Sequence, residues 1–350
     1  MSSDEQYMHR CLELAVQGLG SVAPNPMVGS VIVYQGKIIG EGWHKQFGLE
    51  HAEVNAIDAV EDKELLKDAC LYVNLEPCSH FGKTPPCADL ILRMGIPEVV
   101  VGTVDTFAQV CRQGIEKLKK AGVTVRTGVL EPGCRELNRR FFTFHEKKRP
   151  YIILKWAQTA DGYMDHIRAF GNGDQALQIS SGPSQELLHQ WRSEETAILV
   201  GTNTALLDNP RLTVRGRDGK NPLRIVLDPM NRIPASFHIK DGTTPTLILT
   251  SQPMGSSHNL NYETLSFQSE TESLRELCTL LHERGIQSMI VEGGSRLLQS
   301  FFLAGLWDET RVFIASTLLN KGLRAPLFPD APYTTYKSGE DELRIYRNQQ

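Results

Sequence analysis

The sequence predicts an α/β protein made of two domains, and three observations lead to this fold class. The chain has 350 residues, of which 41% are hydrophobic, so it is long enough for two domains that each bury a core. Residues 131–150 run from an apparent helix into the basic run Lys147-Lys148-Arg149 and Pro150, between two apolar segments, which is typical of a linker. After residue 150, strand-like and helical runs alternate, which indicates βαβ units and a mainly parallel sheet.

Composition and charge argue against several classes of protein. The formal net charge is −4 and no long run of Lys or Arg occurs, which argues against a nucleic-acid partner. No apolar run approaches the roughly 20 residues of a membrane span, and the first residues lack the apolar core and cleavage site of a signal peptide. We therefore expect a cytoplasmic protein without a membrane partner.

The cysteine content fits a reducing compartment. The seven cysteines are Cys11, Cys70, Cys78, Cys87, Cys111, Cys134 and Cys278. In such a compartment, an odd number of thiols indicates core fillers, nucleophiles or metal ligands rather than disulfides.

The first domain is predicted to contain a hairpin, a helix and a strand in that order. In SVIVYQGKIIGEGWH, two short β-branched runs flank a turn at Gln35-Gly36. The stretch GLEHAEVNAIDAVED has alanines at helical spacing after His51, which predicts a helix whose first turn carries Glu53. DACLYVNLEPC then predicts a strand that ends before Pro77, and a second helix is expected to begin at Cys87.

This order of elements suits one zinc ion held between two helix N-termini. His51 supplies an imidazole, and Cys78 and Cys87 supply two thiolates, which leaves the fourth tetrahedral position open for water. Zinc lowers the pKa of such a water toward ~7. Glu53 stands two residues from His51 and is placed to take up the proton.

Two other interpretations of these residues stay open. Buried free cysteines commonly behave as small hydrophobic core residues, so the pair has a purely structural reading. A structural zinc site is the second alternative, and it requires a fourth protein ligand, for which His44 and His80 are the nearby candidates.

The spacing of the cysteines separates this chain from most deaminases with such a site. Pro-Cys-x-x-Cys is usual in nucleoside and nucleobase deaminases, whereas here SHFGKTPP separates Cys78 from Cys87. Together with PNPMVG and HAE, this longer loop resembles the deaminase domain of the bifunctional riboflavin-biosynthesis deaminase/reductase family. The resemblance covers residues 1–146 and implies a three-layer, cytidine-deaminase-like domain, with zinc ligands as above and Glu53 as the proton shuttle.

The same resemblance implies a set of groups around the pyrimidine and the ribose phosphate. They are Asn25, His44, Lys83, Thr84 and Asp105. Lys83 also makes independent sense, because a cation on a loop beside the site suits a 5′-phosphate. The chain departs from the family in VDTFAQVCRQG, where Phe107 replaces a common Asn and either stacks on the pyrimidine or packs to close the pocket.

The second domain shows three motifs among its alternating strands and helices. SMIVEGGSRLL places a Gly pair between a strand and a helix, so that the first amides of the helix can meet a phosphate. GTNTALLDNPRLTVR follows the strand AILV with a predicted polar loop, at the strand end where ligands of open α/β sheets bind. KWAQTADGYMD predicts a turn at Asp161-Gly162.

Together these motifs resemble the reductase domain of the same family, over residues 150–345. The resemblance implies a dihydrofolate-reductase-like α/β fold and NADPH as the cofactor. The residues that it implies around the cofactor are Gln158, Thr204, Asp208 and Gly294. Those that it implies around the sugar phosphate are Arg192, Leu212, Arg215 and Glu292. The chain departs from the family in AFGNGDQALQISSG, where Ala176 and Gln178 replace a common Ser and Trp.

The resemblance as a whole implies a two-step enzyme of riboflavin biosynthesis that is a homodimer or homotetramer. Its steps are zinc-dependent deamination of a diamino-ribosylamino-pyrimidinone 5′-phosphate and NADPH-dependent reduction of the ribosyl side chain to the ribitylamino-uracil phosphate. Two other classes stay open. One is a deaminase of free nucleosides or tRNA with a non-catalytic second domain, and the other is a zinc scaffold in which Glu53→Gln changes nothing.

Overall fold

The chain divides into two compact units, Met1–Lys148 and Arg149–Gln350. The structure is a computed structural model, and it describes residues 2–79, 85–106, 112–328 and 331–348. No helix in these ranges combines the length and apolar character that crossing a bilayer requires.

The first unit is built on a five-stranded sheet with helices on both faces. Its elements in chain order are α1 (Ser3–Ala15), β1 (Gly29–Tyr34), β2 (Lys37–Trp43), α2 (Ala52–Asp58), β3 (Cys70–Leu75), α3 (Cys87–Met94), β4 (Glu98–Thr103), α4 (Gln113–Lys120), β5 (Thr124–Thr127), α5 (Glu131–Leu137) and α6 (Arg139–Lys147). The strand order is β2-β1-β3-β4-β5, antiparallel at β1 and parallel from β3 to β5.

The three layers of this unit follow from the alternation of side chains along its strands. On β1, Ile32 packs with α2, α3 and α4, whereas its neighbour Val31 packs with α1 and α5. The predicted hairpin is confirmed: Tyr34 pairs with Lys37, and Gln35 and Gly36 both have positive φ, as a type I′ turn requires. The predicted three-layer fold is confirmed.

The helix expected at the start of residues 131–150 is present, and α5 and α6 together extend it to the basic run. Helix α6 ends at Lys147, and Lys148 follows it with a φ of 53°. Arg149 belongs to the second unit, where its guanidinium donates two hydrogen bonds to Asp308, at 2.5 and 2.8 Å.

The second unit is built on a nine-stranded sheet. Its elements are β6 (Tyr151–Thr159), β7 (Tyr163–Asp165), α7 (Gly182–Glu194), β8 (Ala197–Gly201), α8 (Thr202–Asp208), β9 (Leu223–Leu227), β10 (Thr246–Thr250), β11 (Leu260–Thr264), α9 (Glu270–Glu283), β12 (Ser288–Val291), α10 (Ser295–Leu303), β13 (Glu309–Ala315), β14 (Leu323–Arg324), β15 (Tyr333–Ser338) and β16 (Asp341–Arg347). The order is β11-β10-β9-β8-β12-β6-β13-β16-β15, and β7 pairs separately with β14.

The predicted parallel sheet is confirmed, since only β16 and β15 at one edge run antiparallel to their neighbours. Helices α9 and α10 pack on one face of the sheet, and α7 and α8 pack on the other. Strand β12 comes late in the sequence, but in the sheet it lies between β8 and β6.

One predicted element is wrong. The start of GTNTALLDNPRLTVR was expected to be a polar loop, but residues Thr202–Asp208 form α8. Ala205 and Leu206 are buried against the sheet, and their burial outweighs the weak helix propensity of the Thr and Asn residues. Asn209 ends the helix with a φ of 41°.

Candidate active sites

Three side chains of the first unit converge on one point. His51 is the residue before α2, Cys87 is the first residue of α3, and Cys78 follows β3. His51 Nδ1 lies 3.3 Å from Cys87 Sγ and 3.5 Å from Cys78 Sγ, and the three ligand atoms all lie within 4.8 Å of one another. Both helix N-termini therefore meet at this cluster, as the sequence predicted.

The chemistry of these donors fits zinc with an open coordination position. One imidazole and two thiols make a three-ligand set, and no fourth His, Cys, Asp or Glu joins the cluster within the described ranges. The pKa of Cys78 is lowered to about 4, because its sulfur accepts hydrogen bonds from Cys87 and His51. Both ring nitrogens of His44 have other partners, and His80 lies outside the described residues.

Glu53 lies beside the cluster with 3% of its surface exposed. Burial raises the pKa of its carboxyl group, and the proximity of Cys78 acts in the same direction. The nearby Cys87 thiol acts in the opposite direction on this pKa. A buried carboxyl group with a raised pKa, next to three metal-ligand atoms, is suited to hold and release a proton.

Asn25 and His44 form a hydrogen-bonded pair next to His51. The Asn25 amide lies 3.0 Å from His44 Nε2, and His44 Nδ1 lies 2.9 Å from the carbonyl oxygen of Glu50. With Nδ1–H donating to that carbonyl, Nε2 accepts from Asn25. Burial lowers the pKa of His44, which favours this neutral ring. The rings of His44 and His51 meet edge to face, with centroids 5.4 Å apart.

Two buried asparagines that were not predicted hold the turn that carries Asn25. Asn138 accepts from Met27 N at 2.8 Å and donates to Met27 O at 2.9 Å. Asn74 donates to the same oxygen at 3.1 Å and accepts from Gly29 N at 2.8 Å. The sequence signal for Asn74 was a polar residue inside the apolar strand LYVNL.

Asp105 is buried at the carboxyl end of β4, and its backbone N–H donates to Glu76. Glu76 itself precedes Pro77 and Cys78 in the chain, so Asp105 lies close to the cysteine arm of the cluster. Lys83, Thr84 and Phe107 lie outside the described residues.

Each remaining described cysteine is a free thiol, as expected. They are Cys11, Cys70, Cys134 and Cys278. Burial raises the pKa of each of these thiols, so they are not activated as nucleophiles.

In the second unit, three predicted cofactor residues lie at the carboxyl edge of neighbouring strands. Gln158 lies near the end of β6, Thr204 follows β8, and Gly294 follows β12 as the residue before α10. A Cβ placed on Gly294 would lie 3.2 Å from Thr204 Oγ1, so these two residues are adjacent. Gly201 N donates to Gly293 O, which joins the two strand ends. This edge is where ligands of open α/β sheets bind.

A buried ion pair lies beside that edge. Arg192 of α7 donates two hydrogen bonds to Glu292, at 2.8 and 2.7 Å, and a third to Thr213 O at 3.2 Å. Burial alone would raise the pKa of Glu292, but Arg192 and Lys155 lower it. Burial lowers the pKa of Lys155, a residue that was not predicted although a lysine inside the apolar run YIILKWA was a signal.

The other predicted sugar-phosphate residues lie close to this pair. Leu212 is buried with a φ of 54°, directly before the Thr213 carbonyl that Arg192 contacts. Arg215 lies 3.4 Å from Nε2 of His189, a residue of α7 that was not predicted. Burial lowers the pKa of His189, and the charges of Arg192 and Arg215 act in the same direction.

Asp208, a predicted cofactor residue, forms an ion pair with Arg168. Arg168 donates to it at 2.6 Å and also pairs with Asp165. The unusual segment that carries Ala176 and Gln178 has no helix or strand, and Leu177 N donates to Asp165. Asp165 therefore connects this segment to Arg168 and Asp208.

Two regions of the chain match models of known protein families. A family model described as the RibD C-terminal domain matches residues 150–345, and one described as the cytidine and deoxycytidylate deaminase zinc-binding region matches residues 1–103. The riboflavin biosynthesis protein RibD of Aquifex aeolicus is 42% identical over 323 residues, which are 91% of this chain and 89% of that protein. The chain belongs to the RibD family.

Other RibD proteins are similar to this chain over nearly its whole length. The RibD protein of Bacillus amyloliquefaciens is 37% identical over 341 residues, covering 95% of this chain and 90% of that protein. A crystal structure from Thermotoga maritima, of a diaminohydroxyphosphoribosylaminopyrimidine deaminase/5-amino-6-(5-phosphoribosylamino)uracil reductase, has a TM-score of 0.86 and 35% identity. The aligned region covers 99% of this chain and 98% of the Thermotoga maritima chain.

As a RibD family member, the chain is a bifunctional deaminase and reductase of riboflavin biosynthesis. Its cofactors are zinc and NADPH, as the sequence predicted. The match to the RibD C-terminal domain decides against a deaminase that carries a non-catalytic second domain. The relatives that match the whole chain, together with the match to the deaminase zinc-binding region, decide against a zinc scaffold without activity.

Proposed function

We propose that residues 1–146 hydrolytically deaminate a diamino-ribosylamino-pyrimidinone 5′-phosphate and that residues 150–345 reduce the ribosyl side chain of the product. The observation that supports the first assignment is the convergence of His51, Cys78 and Cys87 within 4.8 Å, with the buried Glu53 beside them. The Thermotoga maritima protein, whose chain aligns with this one almost end to end, is both a deaminase and a reductase.

In the deaminase unit, His51, Cys78 and Cys87 hold zinc. When bound, zinc supplies a water of lowered pKa as the nucleophile for hydrolysis. Glu53 accepts a proton from the nucleophilic water at its carboxylate and donates it to the substrate nitrogen, so that the amino group leaves as ammonia. Because Glu53 is buried, bulk water does not compete with it in this proton transfer.

The remaining residues of the deaminase site bind and orient the substrate. Asn25 and His44 offer a hydrogen-bonded pair of polar groups next to His51, which suits the edge of a pyrimidine ring. Asp105 provides a buried acceptor. Lys83 and Thr84 contact the 5′-phosphate, for which a cation and a hydroxyl are suitable partners.

In the reductase unit, Gln158, Thr204, Asp208 and Gly294 contact NADPH, which supplies a hydride when bound. The first amides of α10, after the Gly pair, would bind the phosphates of this cofactor. Arg192, Leu212, Arg215 and Glu292 bind the sugar phosphate. The Arg192–Glu292 pair fixes the guanidinium in one orientation, and Arg215 carries the second positive charge for the phosphate.

We also infer a cytoplasmic homodimer or homotetramer. The support for the oligomer is the family resemblance, and light scattering on the purified protein tests it. A monomer at micromolar concentration would contradict this part of the proposal.

A coupled assay tests the proposed reactions. The purified protein receives the diamino-ribosylamino-pyrimidinone phosphate, and ammonia release and NADPH consumption are followed separately. Both are expected, with NADPH consumption dependent on prior deamination. Ammonia release without NADPH consumption would refute the reductase assignment, and no ammonia release by the zinc-loaded protein would refute the deaminase assignment.

A further inference from the structure

Glu76 connects the cysteine arm of the deaminase site to the chain segment that carries Asp105. One oxygen of its carboxylate, Oε2, accepts from Asp105 N at 3.3 Å and Arg112 N at 3.0 Å. The other, Oε1, accepts from Gly114 N at 3.0 Å and Ile115 N at 3.3 Å. A single side chain therefore holds both ends of the segment from 105 to 112 and the first turn of α4.

These four contacts match the bonding capacity of a carboxylate. An ionised carboxyl group has about four lone-pair sites and only accepts hydrogen bonds, and all four partners of Glu76 are backbone N–H donors. Two of them come from the N-terminal turn of α4, where the helix dipole favours a negative charge. The side chain is 5% exposed, so water does not replace these bonds easily.

Backbone packing makes this connection tight. A Cβ placed on Gly114 would lie 1.9 Å from the carbonyl oxygen of Pro77, so only glycine allows α4 to approach the chain just before Cys78. Glu76 N also donates to Thr103 O at 3.0 Å, which extends the pairing of β3 and β4 past the end of β3. The backbone just before Cys78 and the backbone that leads to Asp105 are therefore fixed to each other.

We propose that Glu76 is a positioning residue for deamination, which sets the distance between the substrate contact Asp105 and the zinc ligand Cys78. The inference rests on the roles given to those two residues under the proposed function. Glu76 touches neither the substrate nor the zinc. Its effect is therefore expected on substrate binding, while the metal and the proton path through Glu53 stay in place.

The test is Glu76→Gln in the full-length protein. Glutamine has the same shape, but its NH2 group faces N–H donors, so about half of the hydrogen bonds are lost. We expect KM for the pyrimidine phosphate in ammonia release to rise about 10- to 100-fold, the effect of one or two bonds to a charged acceptor. Zinc content, kcat within a few-fold and NADPH oxidation on deaminated substrate are expected to stay as in the wild type.

Glu131→Gln is the matched control, because Glu131 lies in the first turn of another helix of this unit and accepts a hydrogen bond from Thr103. It removes the same charge and is expected to leave KM unchanged. An unchanged KM in Glu76→Gln would overturn the inference. Loss of zinc, or a fall in kcat as large as the rise in KM, would also overturn it, since the role would then belong to the metal site.

A second variant keeps the inference testable if the first variant folds poorly. If Glu76→Gln does not fold, Glu76→Asp keeps an acceptor-only carboxylate one methylene short of its partners, and a raised KM with zinc retained is again expected. An unchanged KM in that variant overturns the inference. Failure of the proposed function is distinguishable, because the wild type would then release no ammonia from the pyrimidine phosphate.

Discussion

The turn that carries Asn25 allows a test of shared hydrogen bonding. The carbonyl oxygen of Met27 accepts from Asn74 and from Asn138, and both side chains are buried. Asn74→Ala or Asn138→Ala alone leaves this carbonyl with one donor. The double variant leaves it with none.

The expected magnitude follows from what each variant leaves unpaired. Asn74→Ala removes the partner of Gly29 N–H, and Asn138→Ala removes the partner of Met27 N–H, each at about 1–3 kcal/mol for a buried unpaired group. The Met27 carbonyl adds a penalty of similar size only in the double variant. The loss in the double variant should therefore exceed the sum of the single losses by about 1–3 kcal/mol.

Urea denaturation of the wild type, both single variants and the double variant measures this coupling. The transition of the first unit is the one that added zinc shifts to higher urea. Asn55 is the matched control, because its amide donates to Trp43 O and Glu50 O and shares no partner with Asn74. Asn55→Ala and Asn74→Ala are expected to add within about 0.5 kcal/mol, and the same additivity for Asn74 and Asn138 would refute the shared acceptor.

Four further outcomes are expected. Glu53→Gln should keep zinc while ammonia release falls roughly 10²- to 10⁴-fold, as metal analysis and kinetics would show, because only the proton path is removed; normal turnover would contradict this. Removing zinc with a chelator should stop ammonia release but not NADPH oxidation on deaminated substrate, and adding zinc back should restore the first activity. Glu292→Gln leaves Arg192 and Lys155 without a buried counter-charge, so denaturation of the second unit should show a loss of about 3–5 kcal/mol, and an unchanged midpoint would argue against the pair. Because the pKa of His189 is lowered by burial, Arg192 and Arg215, the stability linked to its neutral ring should be present above about pH 6.5 and lost as the pH falls through the lowered folded pKa; His189→Gln should flatten that slope.

Much of the fold could be predicted because its signals are local. The turn at Gln35-Gly36, the start of α3 at Cys87 and the Gly pair before α10 each lie within a few residues of the element they define. The wrong prediction at Thr202–Asp208 has a clear cause. Thr and Asn favour turns in isolation, whereas the burial of Ala205 and Leu206 against the sheet is a tertiary effect.

The supporting residues of both sites could not be predicted in the same way. Asn74 and Lys155 stand out as polar residues in apolar strands, which indicates that each has a partner but not which one. Their partners, Met27 and Glu292, lie far away in the sequence. Glu76 was visible only as a neighbour of Cys78, because its four partners are backbone groups that no sequence pattern marks.

The placement of β12 has a consequence for the order in which the two halves of a newly made chain mature. Ser288 pairs with Tyr151 and Met289 pairs with Ala197, so the gap between β6 and β8 stays open until residue 291 has left the ribosome. The strands of the first unit need no such late insertion, since β3, β4 and β5 each join the edge of the sheet formed by the strands made before them. The deaminase half is therefore expected to fold during synthesis, while the reductase half waits with unpaired strand edges, and it is there that chaperones are expected to bind.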